Sequence, residues 1–578
     1  MSNLLRKYQL ILYTGLLIIV IAFSSCDRNA ERSINDQQKT IKRFSMMADL
    51  PEPYNIIDWR KKALDFDSIV YNFNEDGEYW PLIWIDDSRK NLDQTTFGIY
   101  TAIGDVRQGK NNNNGMFHES INSLGSILGA TLIGIDKSDQ DGYNYVQMAQ
   151  NYFNTENGWN IIMNNTCPEV ALLGGGYGRD WWYDVFPNLL FYGIANFYPE
   201  VGITEKIQKS IAEQFYKADS VLNGNYDFSF FNYAEMHGEK NIIPSQQDAA
   251  AGHAYVLYCA YKKYSDERYL NGAKSALSAM EKLSENRFYE VLMPFGAYVA
   301  ARMNAEHNTD YDVSRWINWT CDGAAGREGW GILVGHWNGY DISGLQGSLI
   351  HNKGYAFLMN TFDMAWALVP MVRYDPSYAD AIGKWMLNAA NAARLFYPYE
   401  IPDDHQTIPE KKDVTKGVIA YEGVIHRSTF KKYSNIKAPV AQGDGPNWVK
   451  DENPEVSQFS IYGSGHVGIF GSIIEETSVK GILKLDLLAT DFYREEAYPT
   501  YLYYNPWSEG KEIIIEDQIS SVYDAVSKKI IEITDGKIEI PPFHSVVLVS
   551  LPENAEKEIK DGKLYINDVI VDYHYHLH

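Results

Sequence analysis

Apolar residues recur at helical spacing through most of the middle of the chain. From about residue 116 to 475 they return every three or four positions, as in helices that bury one face. Short connections with Gly, Asn or Pro separate these runs, so consecutive helices are expected to pack antiparallel, as hairpins in a ring or bundle. The spacing predicts helices over about 119–135, 143–153, 184–198, 203–222, 246–264, 267–284, 289–304, 353–372, 377–396 and 456–475.

The period changes from helical to alternating in the last hundred residues. Short runs rich in Val, Ile and Tyr are separated by turns such as Asp535-Gly536. This pattern predicts an antiparallel β-domain. The expected fold is therefore mainly α, with a small C-terminal β-sandwich.

The N-terminus reads as a targeting segment. Arg6 and Lys7 precede an apolar run over residues 10–22, and small residues lead to Cys26. This resembles the signal of bacterial lipoproteins, which implies lipidation at Cys26 and a lipid-anchored place in the bacterial cell envelope, periplasmic or surface-facing. The expected divisions are a signal peptide over 1–26, a tether over 27–50, a helical catalytic domain over 51–480, a β-sandwich over 481–570 and a tail over 571–578.

Composition and charge exclude several classes of partner. The chain has 578 residues, of which 45% are hydrophobic and 14% aromatic, as in globular proteins with large cores. A net charge of −24 argues against nucleic acid and against direct binding to an anionic membrane surface. An acidic polysaccharide would need a local basic groove, for which the candidate arginines are Arg107, Arg179, Arg302, Arg315 and Arg327.

Motifs for metals and cofactors are missing from the sequence. Besides Cys26 the cysteines are Cys167, Cys259 and Cys321, an odd number without metal-type spacing, so buried free thiols are expected. The glycine-rich run at 174–178 lacks the lysine of a phosphate loop. The sequence therefore predicts no metal and no cofactor.

Residues 316–341 combine indole rings, glycines and charged groups. Four of the 14 tryptophans lie here, with acids, an arginine and a histidine between them. This mixture is typical of a concave site, and it suits a sugar ring that stacks on indole while its hydroxyls bind polar groups. The candidates from this segment are Asp322 and Glu328 for catalysis, and Arg327, Trp330, His336, Trp337 and Asp341 for binding.

Residues 180–197, DWWYDVFPNLLFYGIANF, resemble the active-site helix of unsaturated glucuronyl hydrolases, which are α/α-toroid, six-hairpin glycosidases. The resemblance covers about fifteen residues, and Pro187 departs from the family pattern. It implies an α/α-toroid for the helical domain and a catalytic acid at Asp184. Trp181, Trp182 and Tyr183 would then lie beside the substrate, and Asp322 or Glu328 would supply a second carboxylate.

Two further residues are candidates for substrate binding. Asp248 stands at a predicted helix start, where capping is the competing interpretation. His466 precedes an apolar helix, and a structural role competes with a role as base. The predicted function is hydrolysis of glycosidic bonds in polysaccharide-derived, uronic-acid-containing oligosaccharides by carboxylate acid–base catalysis. The alternatives are a polysaccharide lyase, which would rely on Tyr183, Tyr340, His336 or His466, and a non-catalytic glycan-binding lipoprotein.

Overall fold

The computed structural model describes residues 38–103, 119–171, 180–327, 329–428, 430–443, 459–515 and 519–575. The α-helices in these ranges are α1 Lys42–Ser45, α2 Trp59–Val70, α3 Ser120–Leu132, α4 Tyr145–Met148, α5 Pro168–Ala171, α6 Trp181–Phe197, α7 Thr204–Leu222, α8 Ala249–Tyr264, α9 Glu267–Glu281, α10 Met293–His307, α11 Val313–Cys321, α12 Leu358–Tyr374, α13 Ala379–Ala393, α14 Ile461–Ser464 and α15 Val467–Ile473. Single turns of 3-10 helix occur at Ala149–Tyr152, His351–Lys353, Pro376–Tyr378, Arg394–Phe396, Asp403–His405 and Lys431–Tyr433, with a longer one at Pro409–Thr415.

Six of these helices contact one another in a closed ring. The contacts run from α3 to α6, α8, α10, α12 and α15, and from α15 back to α3. These helices are buried on nearly all faces: for example, α6 is buried from Trp181 to Ala195. Aromatic side chains fill the ring, where Trp366 of α12 contacts Phe186 of α6 and Phe295 of α10. A helix that is apolar all round belongs in such an interior.

A second set of helices packs outside the ring. Helix α7 lies on α6 and α8, α9 on α8, α11 on α10, α13 on α12, and α2 on α15 and α3. Helices α2, α7 and α9 alternate buried and exposed positions, as a one-sided amphipathic pattern requires, whereas α13 is buried along nearly its whole length. Because an outer helix returns the chain after each inner one, α6, α8, α10 and α12 all begin at the same end of the ring.

The strands are short. They are β1 Ile83–Asp86, β2 Thr96–Ile99, β3 Ala102–Ile103, β4 Phe230–Asn232, β5 His237–Glu239, β6 Trp330–Ile332, β7 His336–Trp337, β8 Tyr340–Asp341, β9 Gln346–Ser348, β10 Tyr355–Phe357, β11 Ala420–Tyr421, β12 Gly423–Ile425, β13 Val440–Gln442, β14 Phe459–Ser460, β15 Ile474–Glu476, β16 Leu483–Asp486, β17 Thr500–Tyr504, β18 Lys511–Ile514, β19 Ser521–Asp524, β20 Lys529–Glu532, β21 Lys537–Ile540, β22 Ser545–Ser550, β23 Lys557–Lys560, β24 Lys563–Ile566 and β25 Val569–Asp572.

The strands form a β-rich C-terminal region and several small sheets on the helical body. In the C-terminal region an antiparallel sheet has the order β15-β16-β17-β22-β19-β20, with β18-β21 and β23-β24-β25 beside it. A five-stranded sheet, β13-β12-β10-β9-β6, leads directly into α12. A helix-rich body followed by a β-rich region is the order that the hydrophobic pattern predicts. Within the described ranges, no helix is long and apolar enough to cross a bilayer.

Residues 38–50, assigned above to the tether, pack on the helical body. Phe44 is buried and stacks on Trp385 of α13, with 5.6 Å between ring centroids. The Arg43 guanidinium donates to the carbonyl oxygen of Ile332. The polar composition of this segment predicts a tether, but it does not reveal the packing of Phe44. One buried ring is enough to hold a short segment against the helical body. Cys26 and the rest of the signal lie outside the described residues.

Candidate active site

Three buried carboxylates meet where the inner helices begin. Asp180 precedes α6, Asp248 precedes α8, and Glu290 lies three residues before α10. All three are less than a tenth exposed. Contacts through Tyr289 and Glu290 connect them with Arg327, Trp330 and Asn360, and we call these seven residues the carboxylate cluster. Helix starts carry positive dipole ends, which favour negative charge there.

Asp248 is the most enclosed acid of the carboxylate cluster. Its Oδ2 accepts a hydrogen bond of 3.0 Å from the backbone N–H of Tyr289. Its Oδ1 is buried and has no hydrogen-bond partner among the described residues. The side chain does not cap α8, so the capping interpretation is wrong. Burial, only partly offset by the Tyr289 N–H, raises the pKa of Asp248 to about 7. The carboxyl can therefore hold or release a proton near neutral pH.

Tyr289 connects Asp180 and Asp248. Its hydroxyl donates to Oδ2 of Asp180 over 3.3 Å, while its backbone N–H holds Asp248. Burial and the nearby Asp180 charge raise the pKa of the Tyr289 hydroxyl, so it stays protonated and remains a donor. One residue thus fixes two carboxyl groups that come from different helices.

Glu290 is paired with Arg327. The Arg327 guanidinium contacts Glu290 Oε1 and lies over the rings of Trp330, at 4.5 Å, and Tyr289, at 5.3 Å. Asn360 Nδ2 donates to Glu290 Oε2 over 3.1 Å and to the Glu290 carbonyl oxygen over 2.8 Å. The Trp330 indole N–H donates to the same carbonyl over 2.9 Å. Arg327 itself is one-third exposed, so it forms an edge of the cluster open to a ligand.

The aromatic residues at the start of α6 are core residues rather than open platforms. Trp181 is fully buried and stacks on Tyr226 at 5.5 Å. Trp182 is buried, and its ring lies 3.9 Å from that of Tyr183. Asp184, in the first turn of α6, is fully enclosed by protein. The catalytic role predicted for Asp184 remains a prediction.

The tryptophan-rich segment 316–341 does not form one site. Trp316 is fully buried in the core, and Trp330 is covered by Arg327, so neither offers an open ring face. The carboxylate of Asp322, at the end of α11, lies 3.4 Å from the Lys42 ammonium of the N-terminal segment. None of the contacts found for the Asp322 side chain in the described chain reaches the carboxylate cluster. Glu328 lies outside the described residues, as do Arg107, Arg179 and the glycines at 174–178.

His336, Trp337 and Asp341 belong to a separate hairpin. Strands β7 and β8 pair His336 with Asp341, whose side chains lie 3.7 Å apart. Asp341 Oδ1 accepts from the Ser343 N–H, and Trp337 meets the His426 ring edge-on at 5.3 Å. None of the contacts found for these residues in the described chain reaches the carboxylate cluster. These residues form their own hairpin, so they do not join the carboxylate cluster although they are close in sequence to Arg327 and Trp330.

His466 is built into the ring interior. Its Nδ1 lies 2.7 Å from Asp363 Oδ1 and its Nε2 lies 3.0 Å from the Ile121 carbonyl oxygen. Both ring nitrogens therefore face partners inside the protein, and the side chain is fully buried. These contacts favour the structural interpretation, and the role of His466 in binding or as a base stays a prediction.

Sequence reasoning missed Asp180, Tyr289, Glu290 and Asn360. Asp180 and Asp248 share one signal, an acid directly before an apolar helix, which normally indicates an N-cap. In both cases the side chain makes no cap hydrogen bond. The signal was present, but only the ring packing, which brings these helix starts together, distinguishes a cluster from a set of caps.

Comparisons with known proteins add little to this geometry. No protein-family model matches the sequence, and no curated protein matches it. Among solved structures, a GH127 β-L-arabinofuranosidase from Geobacillus stearothermophilus T6 is similar with a TM-score of 0.35 and 11% identity, covering 89% of this chain and 85% of that chain. A second GH127 β-arabinofuranosidase is similar with a TM-score of 0.32 and 11% identity, covering 78% and 74%. Superpositions this loose do not establish a shared activity.

Proposed function

We propose that this protein is a glycoside hydrolase that works by carboxylate acid–base catalysis on an α/α-toroid. The observation that carries the proposal is the carboxylate cluster, where Asp248 has a raised pKa and one buried oxygen without a partner in the described chain. A protonated acid beside ionised carboxylates is the arrangement that glycosidic hydrolysis requires. The closed ring of inner helices with outer partners supports the toroid.

Asp248 is the general acid in this proposal. A carboxyl with a pKa near 7 keeps its proton at neutral pH and can give it to a leaving oxygen. Asp180, whose Oδ2 accepts a hydrogen bond of 3.3 Å from the Tyr289 hydroxyl, is the second carboxylate and acts as base or nucleophile. Glu290 has both oxygens engaged by Arg327 and Asn360, so its role is to hold Arg327 against the site.

The substrate is proposed to be an oligosaccharide derived from a polysaccharide. Arg327 is the cation that contacts the carboxylate cluster in the described chain, and Glu290 already pairs with it. A uronate carboxylate at the cleaved bond would compete with Glu290 for that cation. The bond broken is therefore expected to be that of a neutral sugar, and any uronic acid of the substrate would bind elsewhere.

The test is an activity screen of the chain from residue 27 onward, without the signal. Neutral and acidic oligosaccharides, including lyase-treated uronic acid oligomers, are incubated while reducing ends and ultraviolet absorbance are followed together. New reducing ends without a gain in absorbance, lost in Asp248→Asn, are expected. A gain in absorbance would mean a lyase, and binding without turnover would leave a glycan receptor.

A matched control for the screen is Asp219→Asn. Asp219 is also buried, has a pKa raised by burial, and accepts a hydrogen bond of 2.8 Å from a tyrosine hydroxyl, that of Tyr226. It lies on outer helix α7, away from the carboxylate cluster. Turnover that survives in Asp219→Asn and fails in Asp248→Asn supports a chemical role for Asp248.

We also propose that the protein is exported and anchored through a lipid on Cys26. The support is the charged start, apolar run and small residues before Cys26. Expression of the full chain and Cys26→Ser in a bacterial host, with a radiolabelled fatty acid, tests this. Label and membrane retention that persist in the variant would refute the proposed anchor.

A further inference from the structure

A lysine-lined cavity lies outside the ring, along the exposed side of α7. Its volume is about 740 Å³, within the range of ligand sites. Helix α7 forms one side, and the turns at Asn160 and Gly202 form the other. No residue of the carboxylate cluster lines it. The cavity is therefore a separate feature that the proposed hydrolysis does not use. We call it the lysine cavity.

The two acidic residues of the cavity, Glu205 and Glu213, are paired with cations of neighbouring helices. Glu205 lies 3.8 Å from the Lys263 ammonium. Glu213 contacts the Arg268 guanidinium at 2.9 Å and accepts from the Tyr269 hydroxyl at 2.6 Å. These cations come from α8 and α9, so each cavity carboxylate has a cation partner on a neighbouring helix. Lys217 also interacts with Glu213, and Lys209 with Asp266, at a longer range than an ion pair.

The cavity lysines have no carboxylate partner within ion-pair distance in the described part of the chain. They are Lys206, Lys209 and Lys217, all on exposed positions of α7. The chain as a whole has 75 acidic and 51 basic residues, so three such lysines in one cavity form a local basic patch on an acidic protein. A set of ammonium groups that faces one cavity is a binding surface for an anion.

The base of the cavity is held rigidly. Gln214 Nε2 donates to the carbonyl oxygens of Trp159, at 2.8 Å, and Tyr233, at 3.1 Å. Ser210 Oγ donates to the Asn160 carbonyl oxygen at 2.9 Å, which leaves its lone pairs as acceptors. The polar groups are thus fixed before any ligand arrives, which lowers the entropic cost of binding.

We propose that the lysine cavity binds an acidic segment of a polysaccharide, carboxylated or sulfated, away from the bond that is cleaved. From residue 206 to 217 the helix rises about 16 Å, which suits charges spread along a chain better than one small anion. A few ammonium groups are too few for tight nucleic-acid binding. The identity of the ligand as a glycan rests on the proposed function, and it gives the uronic acid of the substrate a place outside the carboxylate cluster.

The experiment measures binding separately from turnover. The chain from residue 27 onward carries Asp248→Asn, so that no substrate is consumed, and is titrated with polygalacturonate, dextran sulfate, neutral dextran and single-stranded DNA. The test variant adds Lys206→Gln, Lys209→Gln and Lys217→Gln. The control adds Lys282→Gln, Lys529→Gln and Lys560→Gln, which remove the same charge from exposed positions elsewhere.

We expect the test variant to bind one of the two acidic glycans at least about tenfold more weakly, and the control to bind it unchanged. Added salt should weaken the binding of the control. Equal loss in both triple variants, no binding in either, or equal affinity for single-stranded DNA would overturn the proposal. Because binding is measured without turnover, a failure of the proposed hydrolysis leaves this result readable.

Discussion

The two ends of the helix ring carry buried charge in opposite ways. Where the inner helices begin, Arg327 pairs with Glu290, whereas Asp248 has no cation partner among the described residues. Where they end, the guanidinium groups of Arg302 and Arg373 meet the carboxylates of Glu306 and Asp491. Arg302 Nε lies 2.8 Å from Glu306, and Arg373 lies 3.0 Å from Asp491.

The second end is nearly saturated with hydrogen bonds. Asp491 accepts from the hydroxyls of Tyr298, at 2.5 Å, and Tyr374. Arg302 also donates to the carbonyl oxygens of Phe492 and Tyr493, in the segment that leads from the helices into the β-rich region. Arg302, a candidate for a polysaccharide groove in the sequence, is instead fully buried in this network.

The pKa shifts express the same contrast. Burial alone would raise the pKa of Glu306, but the charges of Arg302 and Lys262 outweigh it and lower that pKa to about 2. Asp248 is more deeply buried and has no cation partner among the described residues, and burial raises its pKa to about 7. A buried acid that is paired with a cation contributes to a structural network. A buried acid without a cation, at a helix start, is a candidate catalytic residue.

Asp248→Asn is expected to produce the largest effect on activity. The variant keeps the shape of the side chain but has no proton to give, so turnover of natural substrates should fall by roughly 10²–10⁴-fold. Aryl glycosides with acidic leaving groups need little protonation and should be hydrolysed with a much smaller loss. Initial rates on both substrate types check this. An equal loss on both would point to damaged structure instead of a missing acid.

Asp491→Asn tests the end of the ring where the buried carboxylates are paired with arginines. Removing one charge from a buried, paired network should lower the free energy of unfolding by about 3–5 kcal/mol. Urea unfolding measures this, and turnover well below the melting temperature should stay close to that of the parent. Asp524→Asn is the control, because Asp524 is buried but accepts from the backbone N–H groups of Val526 and Val547 rather than from a guanidinium. Equal losses in both variants would contradict the contrast between the ends.

The dependence of the free energy of unfolding on pH tests the raised pKa of Asp248. Its pKa is raised in the folded state, so between about pH 4 and pH 7 the unfolded chain releases a proton that the folded chain keeps. This group therefore lowers stability as pH rises across that window, by about 1.4 kcal/mol per unit. Unfolding at pH 5 and pH 7 should show a smaller decrease in Asp248→Asn than in the parent. Identical decreases would show that Asp248 does not titrate as described.

The helical pattern predicted most of the elements well. The run at 203–222 corresponds to α7, Thr204–Leu222, and the run at 267–284 to α9, Glu267–Glu281. Amphipathic outer helices can be predicted from the sequence, because their buried positions are apolar and their exposed positions are polar. The change to short alternating runs after residue 500 likewise corresponds to the strands of the C-terminal sheets.

The candidate site was less accessible from the sequence. The density of tryptophans pointed to residues 316–341, but Trp316 fills the core, because an indole ring packs as well against aliphatic side chains as against sugar. Asp248 was chosen from its position, whereas its partner Tyr289 is 41 residues away. Contacts between helix starts that are distant in sequence depend on closure of the helix ring, which cannot be predicted from the spacing of neighbouring residues.

Tyr289→Phe should produce the smallest effect and the most specific one. It removes the hydroxyl that holds Asp180 but keeps the backbone N–H that holds Asp248. One lost hydrogen bond is worth about 1 kcal/mol, so kcat should fall by roughly three- to tenfold with KM little changed. The basic limb of the pH–rate profile, which reports Asp248, should remain near pH 7.

Tyr298→Phe is the matched variant at the other end of the ring, since it also removes a hydroxyl from a buried aspartate, Asp491. There the loss should be seen in unfolding and not in kcat, because Asp491 keeps Arg373 and Tyr374 as partners. If Tyr289→Phe instead destabilised the fold and left kcat intact, Asp180 would be one more structural acid. The second carboxylate of the proposed mechanism would then have to be sought in Asp184 or Glu290.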